Sequence, residues 1–344
     1  MAGPIKVAIV GYGLAGKVFH APLIVHTEGL VLDAVVSSRH DEIKADYPDV
    51  RVLSFEQVLD DTSIGLVVVA TPNDTHAAIA LQALERGKHV VIDKPFALNV
   101  ADAKKLIAAA EQAGTVVSAF QNRRWDADFL TVKKVLASGE LGELAQFESH
   151  YSRYRPQVQD RWGETDAPGT GNWFNLGSHT VDQALHLFGR PQGVLADFAI
   201  QRSGGRASDY FHVLLRYETH RVILHGSTLA SWEAPRFLLH GTKASFVKYG
   251  LDTQEPALRA GDRPGHDYWG IDPQRGEVVI RHGEEIERHQ IANERGAYPS
   301  YYRALKDAIN GDGPNPVPPE EALATTELLE AAIRSTEERR EILL

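Results

Sequence analysis

The stretch that decides the fold is IKVAIVGYGLAGKVFH, residues 5–20. An apolar, β-branched run ends at Gly11 and passes straight into GYGLAG, residues 11–16, after which the pattern turns helical. A strand that feeds a glycine turn and then a helix is the opening of a dinucleotide-binding βαβ unit. Gly11 permits the tight turn, and Gly13 lets the main chain approach a pyrophosphate. Gly16 lets the helix lie close to the strand, while the turn with Leu14 and Ala15 offers N–H groups and a helix dipole to the phosphates.

Working outward, the first 120 residues alternate short Val/Ile-rich runs with helical patterns. Strands are expected at 5–11, 30–37, 51–54, 64–72, 88–95 and 115–121, and helices at 76–87 and 100–114. Strands apolar on both faces and separated by helices indicate a parallel sheet covered on each side. After Trp125 the character changes. A helix at 126–139 is followed by long alternating strands at 147–154, 194–202, 210–218, 221–230 and 236–250. Short turns between such strands predict a mostly antiparallel sheet. Residues 252–296 read as loops with one hairpin, and two helices, near 298–310 and 319–340, follow. The expected class is α/β: a Rossmann domain over 1–122, then an α+β domain with a large open sheet over 123–344.

The 344 residues carry a net charge of −10 with acids and bases interspersed, which disfavours nucleic acid or an anionic membrane as the main partner. With no cysteine, disulfides and thiolate chemistry are excluded. The first apolar run lacks a signal-peptide layout, and no run approaches the roughly 20 residues that span a bilayer. A soluble, cytoplasmic protein is expected.

The end of the second strand reads VVSSRH, residues 35–40. A site for NAD usually places a carboxylate here for the ribose 2′-hydroxyl. Ser37, Ser38 and Arg39 instead suit a 2′-phosphate, so NADP(H) is favoured over NAD(H), although Asp33 and Asp41 lie close in sequence. Two further motifs fall at carboxyl ends of strands, where open parallel sheets bind ligands. In ATPNDTHAA (70–78), Thr71, Pro72, Asn73 and His76 are candidate cofactor contacts. In DKPF (93–96), Lys94 can donate a hydrogen bond to a substrate hydroxyl or carbonyl. FQNRRWDADF (120–129) adds Asn122 and Arg124 as cofactor candidates, with Arg123 and Trp125 as substrate candidates. SRYRPQVQDRWGE (152–164) offers Arg153, Tyr154 and Trp162, which suit either a polyol or a subunit interface.

WFNLGSHTVDQALHLFG, residues 173–189, reads as a helix that sets Asn175, His179, Asp182 and His186 on one face. Neutral His179 can act as a general base. The polar face has this simpler use, and no ligand-like spacing suggests a metal.

GYGLAGKVFHAPLI, TPNDTH, GKHVVIDKPF, NRRWDADF and WFNLGSHTVDQ, in this order, resemble the Gfo/Idh/MocA oxidoreductase family, and in particular its NADP-dependent scyllo-inositol dehydrogenase branch. The likeness continues through DYFHVLLRY, RVILHGSTLA, HGTKASFVKYGLD and NGDGPNPVPPEEA. It implies an EC 1.1.1-type enzyme that moves a hydride between nicotinamide and a cyclic polyol or sugar, and assembly into a homodimer or homotetramer through the second domain's sheet. The family lysine falls on Lys94, with Asp93 where Glu is usual. The family's Asp-x-x-x-His pair falls on Asn175 and His179, so the acid is replaced. Asn175 can orient the imidazole but supplies no charge. A reductase of another sugar, keto-sugar or anhydrosugar is the alternative within enzymes, and a cofactor-sensing regulator without turnover is the alternative outside them.

Overall fold

A computed structural model describes residues 3–344. The chain divides into two compact units, one of residues 1–122, 254–269 and 297–323, the other of 123–253, 270–296 and 324–344. The division differs from the expected contiguous second domain, because two later segments cluster with the first unit. Aromatic packing holds one of them there. Tyr301 and Tyr302, on the helix Pro299–Asn310, meet Phe120 at ring separations of 4.9 and 5.9 Å.

The first unit contains a six-stranded parallel sheet: β1 (Ile5–Val10), β2 (Leu30–Val36), β3 (Arg51–Val52), β4 (Ile64–Val69), β5 (His89–Ile92) and β6 (Val117–Ala119). Its order, β3-β2-β1-β4-β5-β6, reverses between β1 and β4, the switch point at which such sheets open a crevice. The strands are β-branched and buried through their centres, as a sheet flanked on both faces requires. Helix ends follow local chemistry. Asn99 accepts from the Asp102 N–H at 2.8 Å to start Val100–Ala113, and Gly114, at φ +64°, ends it.

The second unit is built on nine strands: β7 (Leu144–Ser152), β8 (Gly193–Ala199), β9 (Tyr210–Arg216), β10 (Arg221–Ser227), β11 (Phe237–Gly241), β12 (Ala244–Lys248), β13 (Gly276–His282), β14 (Glu285–Ile291) and β15 (Ile342–Leu343). The order is β14-β13-β12-β11-β7-β10-β9-β8-β15, antiparallel throughout except where β7 meets β10. One face, through Phe147, Tyr151, Phe211, Leu224, Phe237 and Phe246, builds the core with Phe129, Trp173 and Leu328 from the helices. The other face carries a transverse row in register, His150, His225, His212 and Asp197. Burial, with His150 and His212 alongside, pushes the His225 imidazole down to about 4.

The run 236–250, expected as a single strand, is a hairpin of β11 and β12. A Cβ on Gly241 would stand 2.1 Å from the Leu141 carbonyl oxygen, so the chain turns where only glycine admits that close approach. Lys243 N–H then donates to the same Leu141 carbonyl at 2.9 Å and secures the turn.

Candidate active site

In the first unit the cofactor candidates lie at the carboxyl ends of neighbouring strands: Ser37–Arg39 after β2, the glycine turn after β1, Thr71–Asn73 after β4, Lys94 after β5 and Asn122 after β6. The three glycines divide the work. Gly11 has φ +101° and its Cβ position is 2.4 Å from the Ala70 carbonyl oxygen, so the turn packs directly on the end of β4. A Cβ on Gly16 would sit 2.0 Å from the Gly11 oxygen. Gly13 has nothing within 4 Å of its Cβ position, leaving main chain open beside the crevice. Two glycines required by packing and one facing open space fit a pyrophosphate cradle. Leu14 is exposed and Ala15 begins a π-type turn, Ala15–His20, that continues as the helix Ala21–His26.

At the end of β2, Ser37 accepts the Arg39 N–H at 3.2 Å. Asp33 is committed elsewhere, paired with Arg51 and with Lys6 at 3.2 Å. Glu42 holds Arg39 at 3.3 Å and Lys17 at 2.7 Å, and the Lys17 bond holds its carboxyl below the usual range. Lys17 also reaches Asp46 at 2.9 Å, and the Tyr12 hydroxyl donates to the same carboxylate at 2.8 Å. Lys17 directly follows GYGLAG, and its acidic partners lie 25 and 29 positions further along the chain.

Lys94 is partly buried, its N–H donates to Asp93 Oδ1 at 2.8 Å, and its bond to Pro95 is cis. His76 is fully buried at the start of the helix His76–Glu85, with Nδ1 3.0 Å from the Pro95 carbonyl and Nε2 2.9 Å from the Thr71 carbonyl. Its ring therefore addresses main chain on both sides.

In the second unit, Trp173–Gly177 forms a π-type turn that passes into the helix Ser178–Phe188. The indole anchors it: Trp173 is buried against Phe198 and Phe211, and its Nε1 donates to the Leu329 carbonyl at 3.2 Å. Gly177 lies under that ring, where a Cβ would be 2.2 Å from it. The residues of the expected polar face differ in burial. Asn175 is exposed on the π-type turn. His179 is buried in the first turn of the helix proper. Asp182 is buried and binds Arg124 through two bonds, 2.8 Å to Nε and 2.6 Å to Nη2, and His186 lies 3.1 Å from Lys133 Nζ. Arg124, expected at the cofactor, has this use of its guanidinium.

Arg123 is buried; its Nη1 donates to Asp126 at 3.3 Å and its carbonyl accepts from Gln183 Nε2 at 2.9 Å. Gln183 in turn accepts from Arg236 Nη2 at 2.9 Å, so the His179 helix is tied to the sheet through a side chain that no sequence motif marks. Trp125 is partly buried. Arg153 pairs through its main chain with Ser227 and Ala230, at 2.8 and 3.0 Å, and Tyr154 is exposed. Trp162 lies on a loop secured by Arg202, which is buried between Glu164 and Asp209, with Nε 2.9 Å from Asp209.

A glycine turn at the switch point of a parallel sheet defines the first unit as a Rossmann-type dinucleotide-binding fold. Residues 5–121 match the family model described as "Oxidoreductase family, NAD-binding Rossmann fold", and residues 133–344 match "Oxidoreductase family, C-terminal alpha/beta domain". The chain belongs to the Gfo/Idh/MocA family of oxidoreductases. It is 48% identical to the uncharacterized oxidoreductase YdgJ of Escherichia coli K12, across 100% of both chains. It is 40% identical to the scyllo-inositol 2-dehydrogenase (NADP(+)) IolW of Bacillus subtilis, covering 99% of this chain and 96% of that one. A solved oxidoreductase structure from Bacillus cereus superposes with a TM-score of 0.90 at 32% identity, covering 99% and 98% of the two chains. Among the described residues no helix is long and apolar enough to cross a membrane.

Proposed function

We propose that the chain is an NADP(H)-dependent dehydrogenase that interconverts a secondary alcohol of a cyclic polyol or sugar, of the scyllo-inositol type, with its ketone. The observation that carries the cofactor choice is the end of β2. Ser37, Ser38 and Arg39 stand there, while Asp33 is engaged by Arg51 and Lys6. Hydroxyls and a guanidinium favour a 2′-phosphate, which a carboxylate in their place would repel. The substrate class is supported by the full-length likeness to an NADP-dependent scyllo-inositol dehydrogenase.

A bound nicotinamide would supply the hydride chemistry at the carbinol carbon. The chain supplies the other half of the chemistry. His179, neutral, takes the hydroxyl proton during oxidation and returns it during reduction. Lys94 donates a hydrogen bond to the reacting oxygen and stabilises the negative charge that develops there. Asn175 supplies an uncharged amide where the family carries a carboxylate. The N–H groups of the turn 11–16 hold the pyrophosphate.

The test is absorbance at 340 nm with scyllo-inositol, myo-inositol and a panel of sugars and anhydrosugars, using NADP and NAD in parallel. NADP-linked turnover of a cyclic polyol is expected. Arg39→Ala should raise KM for NADP by about tenfold or more, the loss of one charge-assisted contact, and change KM for NAD by less than about twofold. Equal losses with both nucleotides, or silence across the panel, overturn the proposal.

A further inference from the structure

We propose that His76 is a positioning residue for Lys94: its imidazole fastens the turn after β4 to the turn after β5 and so fixes the backbone from which the lysine projects. This rests on the reading of Lys94 as the hydrogen-bond donor of the reaction.

The sheet alone does not hold these turns. The β4–β5 ladder runs from Leu66 opposite His89 to Val69 opposite Ile92, and at its end the Asp93 N–H donates to the Val69 carbonyl at 2.9 Å. Each chain then reaches a proline, Pro72 or Pro95, which has no N–H with which to extend a ladder. Beyond that point the His76 side chain spans both. His76 Nε2 lies 2.9 Å from the Thr71 carbonyl and Nδ1 lies 3.0 Å from the Pro95 carbonyl; both carbonyls are acceptors, so the ring donates to both turns at once when both of its nitrogens carry a proton and to one of them otherwise.

The flanking contacts stiffen each side of the clamp. Thr75 Oγ1 donates to the Pro72 carbonyl at 2.7 Å and lies 2.6 Å from Thr71 Oγ1. Asp93 Oδ1 accepts the Lys94 N–H at 2.8 Å. Lys94 is therefore bracketed, by its own N–H on one side and by the carbonyl of the next residue on the other. His76 has 0% exposure, so it acts through these carbonyls and not by touching a ligand. A long lysine stem transmits any drift of its backbone to Nζ, and a displacement of 1 Å at a reacting group can lower a rate by roughly 100-fold.

The experiment places His76→Asn in the full chain, alone and with Lys94→Ala. Alone, it should lower kcat about tenfold or more, with KM for NADP and for the polyol within about threefold of the parent. In the Lys94→Ala background the same change should alter the residual rate by less than about twofold, because the group it positions is gone. A second arm needs no turnover. The 13C resonance of reductively dimethylated Lys94, assigned by its loss in Lys94→Ala, should shift in His76→Asn. Losses that multiply in the double variant, or a Lys94 resonance that does not move, overturn the proposal. If the parent turns over no polyol, the catalytic reading fails while the resonance still decides the clamp. Should His76→Asn not fold, His76→Gln carries both arms.

Discussion

Asp182 grips Arg124 as a two-pronged, buried ion pair between the His179 helix and the turn Asn122–Trp125, with bonds of 2.8 and 2.6 Å. Both side chains are almost fully withdrawn from water. Removing one partner leaves the other charge buried and unpaired, which costs about 3–5 kcal/mol, whereas removing both costs far less. Asp182→Asn should therefore lower the urea midpoint sharply, and Asp182→Leu with Arg124→Met should recover most of it. If Arg124 were mainly a nucleotide ligand, Arg124→Lys would weaken NADPH binding with little change in the midpoint. The expected result is the reverse.

The glycine turn makes a paired prediction, because its members are constrained by different things. Gly13→Ala adds a methyl into open space, so the melting temperature should stay within about 2 °C, as for an unobstructed surface substitution. The same methyl would stand where the pyrophosphate must approach, so NADPH fluorescence titration should lose at least about tenfold in affinity. Gly16→Ala drives its methyl to 2.0 Å from the Gly11 oxygen, so it should lower the melting temperature itself. A Gly13→Ala protein that binds NADPH like its parent would remove the turn from the cofactor site.

Much of the first unit was readable because its signals are local. β1, β2, β4 and β5 are Val/Ile runs closed by turns, and GYGLAG declares its geometry in six residues. The hairpin at Gly241 was hidden because the contact that demands glycine comes from Leu141, a hundred residues earlier. Distance likewise concealed the partner of Asp182, which is 58 positions away, and the clamp of Arg202 on Glu164, 38 away. His76 was visible as a polar residue in a strand-end motif. Its use depends on two carbonyl directions, which no spacing encodes. Segments 254–269 and 297–323 cluster with the first unit, the second of them through Tyr301 and Tyr302 against Phe120, and an aromatic face looks the same in sequence whichever unit it covers.

Asn175 is exposed, so a carboxylate can replace it without the penalty of burying a charge. In Asn175→Asp the new negative charge favours protonated His179. Polyol oxidation needs the neutral ring, so the rising limb of kcat/KM against pH should move upward, by about half to one unit for a nearby carboxylate. In the reducing direction the same shift should extend activity to higher pH. Identical profiles for parent and variant would leave Asn175 without a part in proton transfer.

His20 gives the fold an acid limit. Its ring is fully buried, with Nδ1 2.6 Å from the Tyr302 hydroxyl and its centroid 4.2 Å from that of the tilted Phe120 ring. Burial pushes the imidazole from its ordinary value of 6.5 down to about 4, with Asp93 opposing and His76 adding to the fall. Because the folded value lies below the unfolded one, the unfolded chain takes up the proton first as pH drops. The stability due to a neutral, buried His20 is therefore complete above about pH 6.5 and is lost progressively as pH falls from there through about 4. The loss over that window is on the order of 3 kcal/mol for one such group. His20→Asn keeps a polar partner for Tyr302 but cannot titrate, so its unfolding free energy should fall less steeply than the parent's between pH 6.5 and 4, even if it starts lower at neutral pH. Chemical denaturation followed at several pH values reads the slope directly, and parallel curves for the two proteins would show that His20 is not what sets the acid limit.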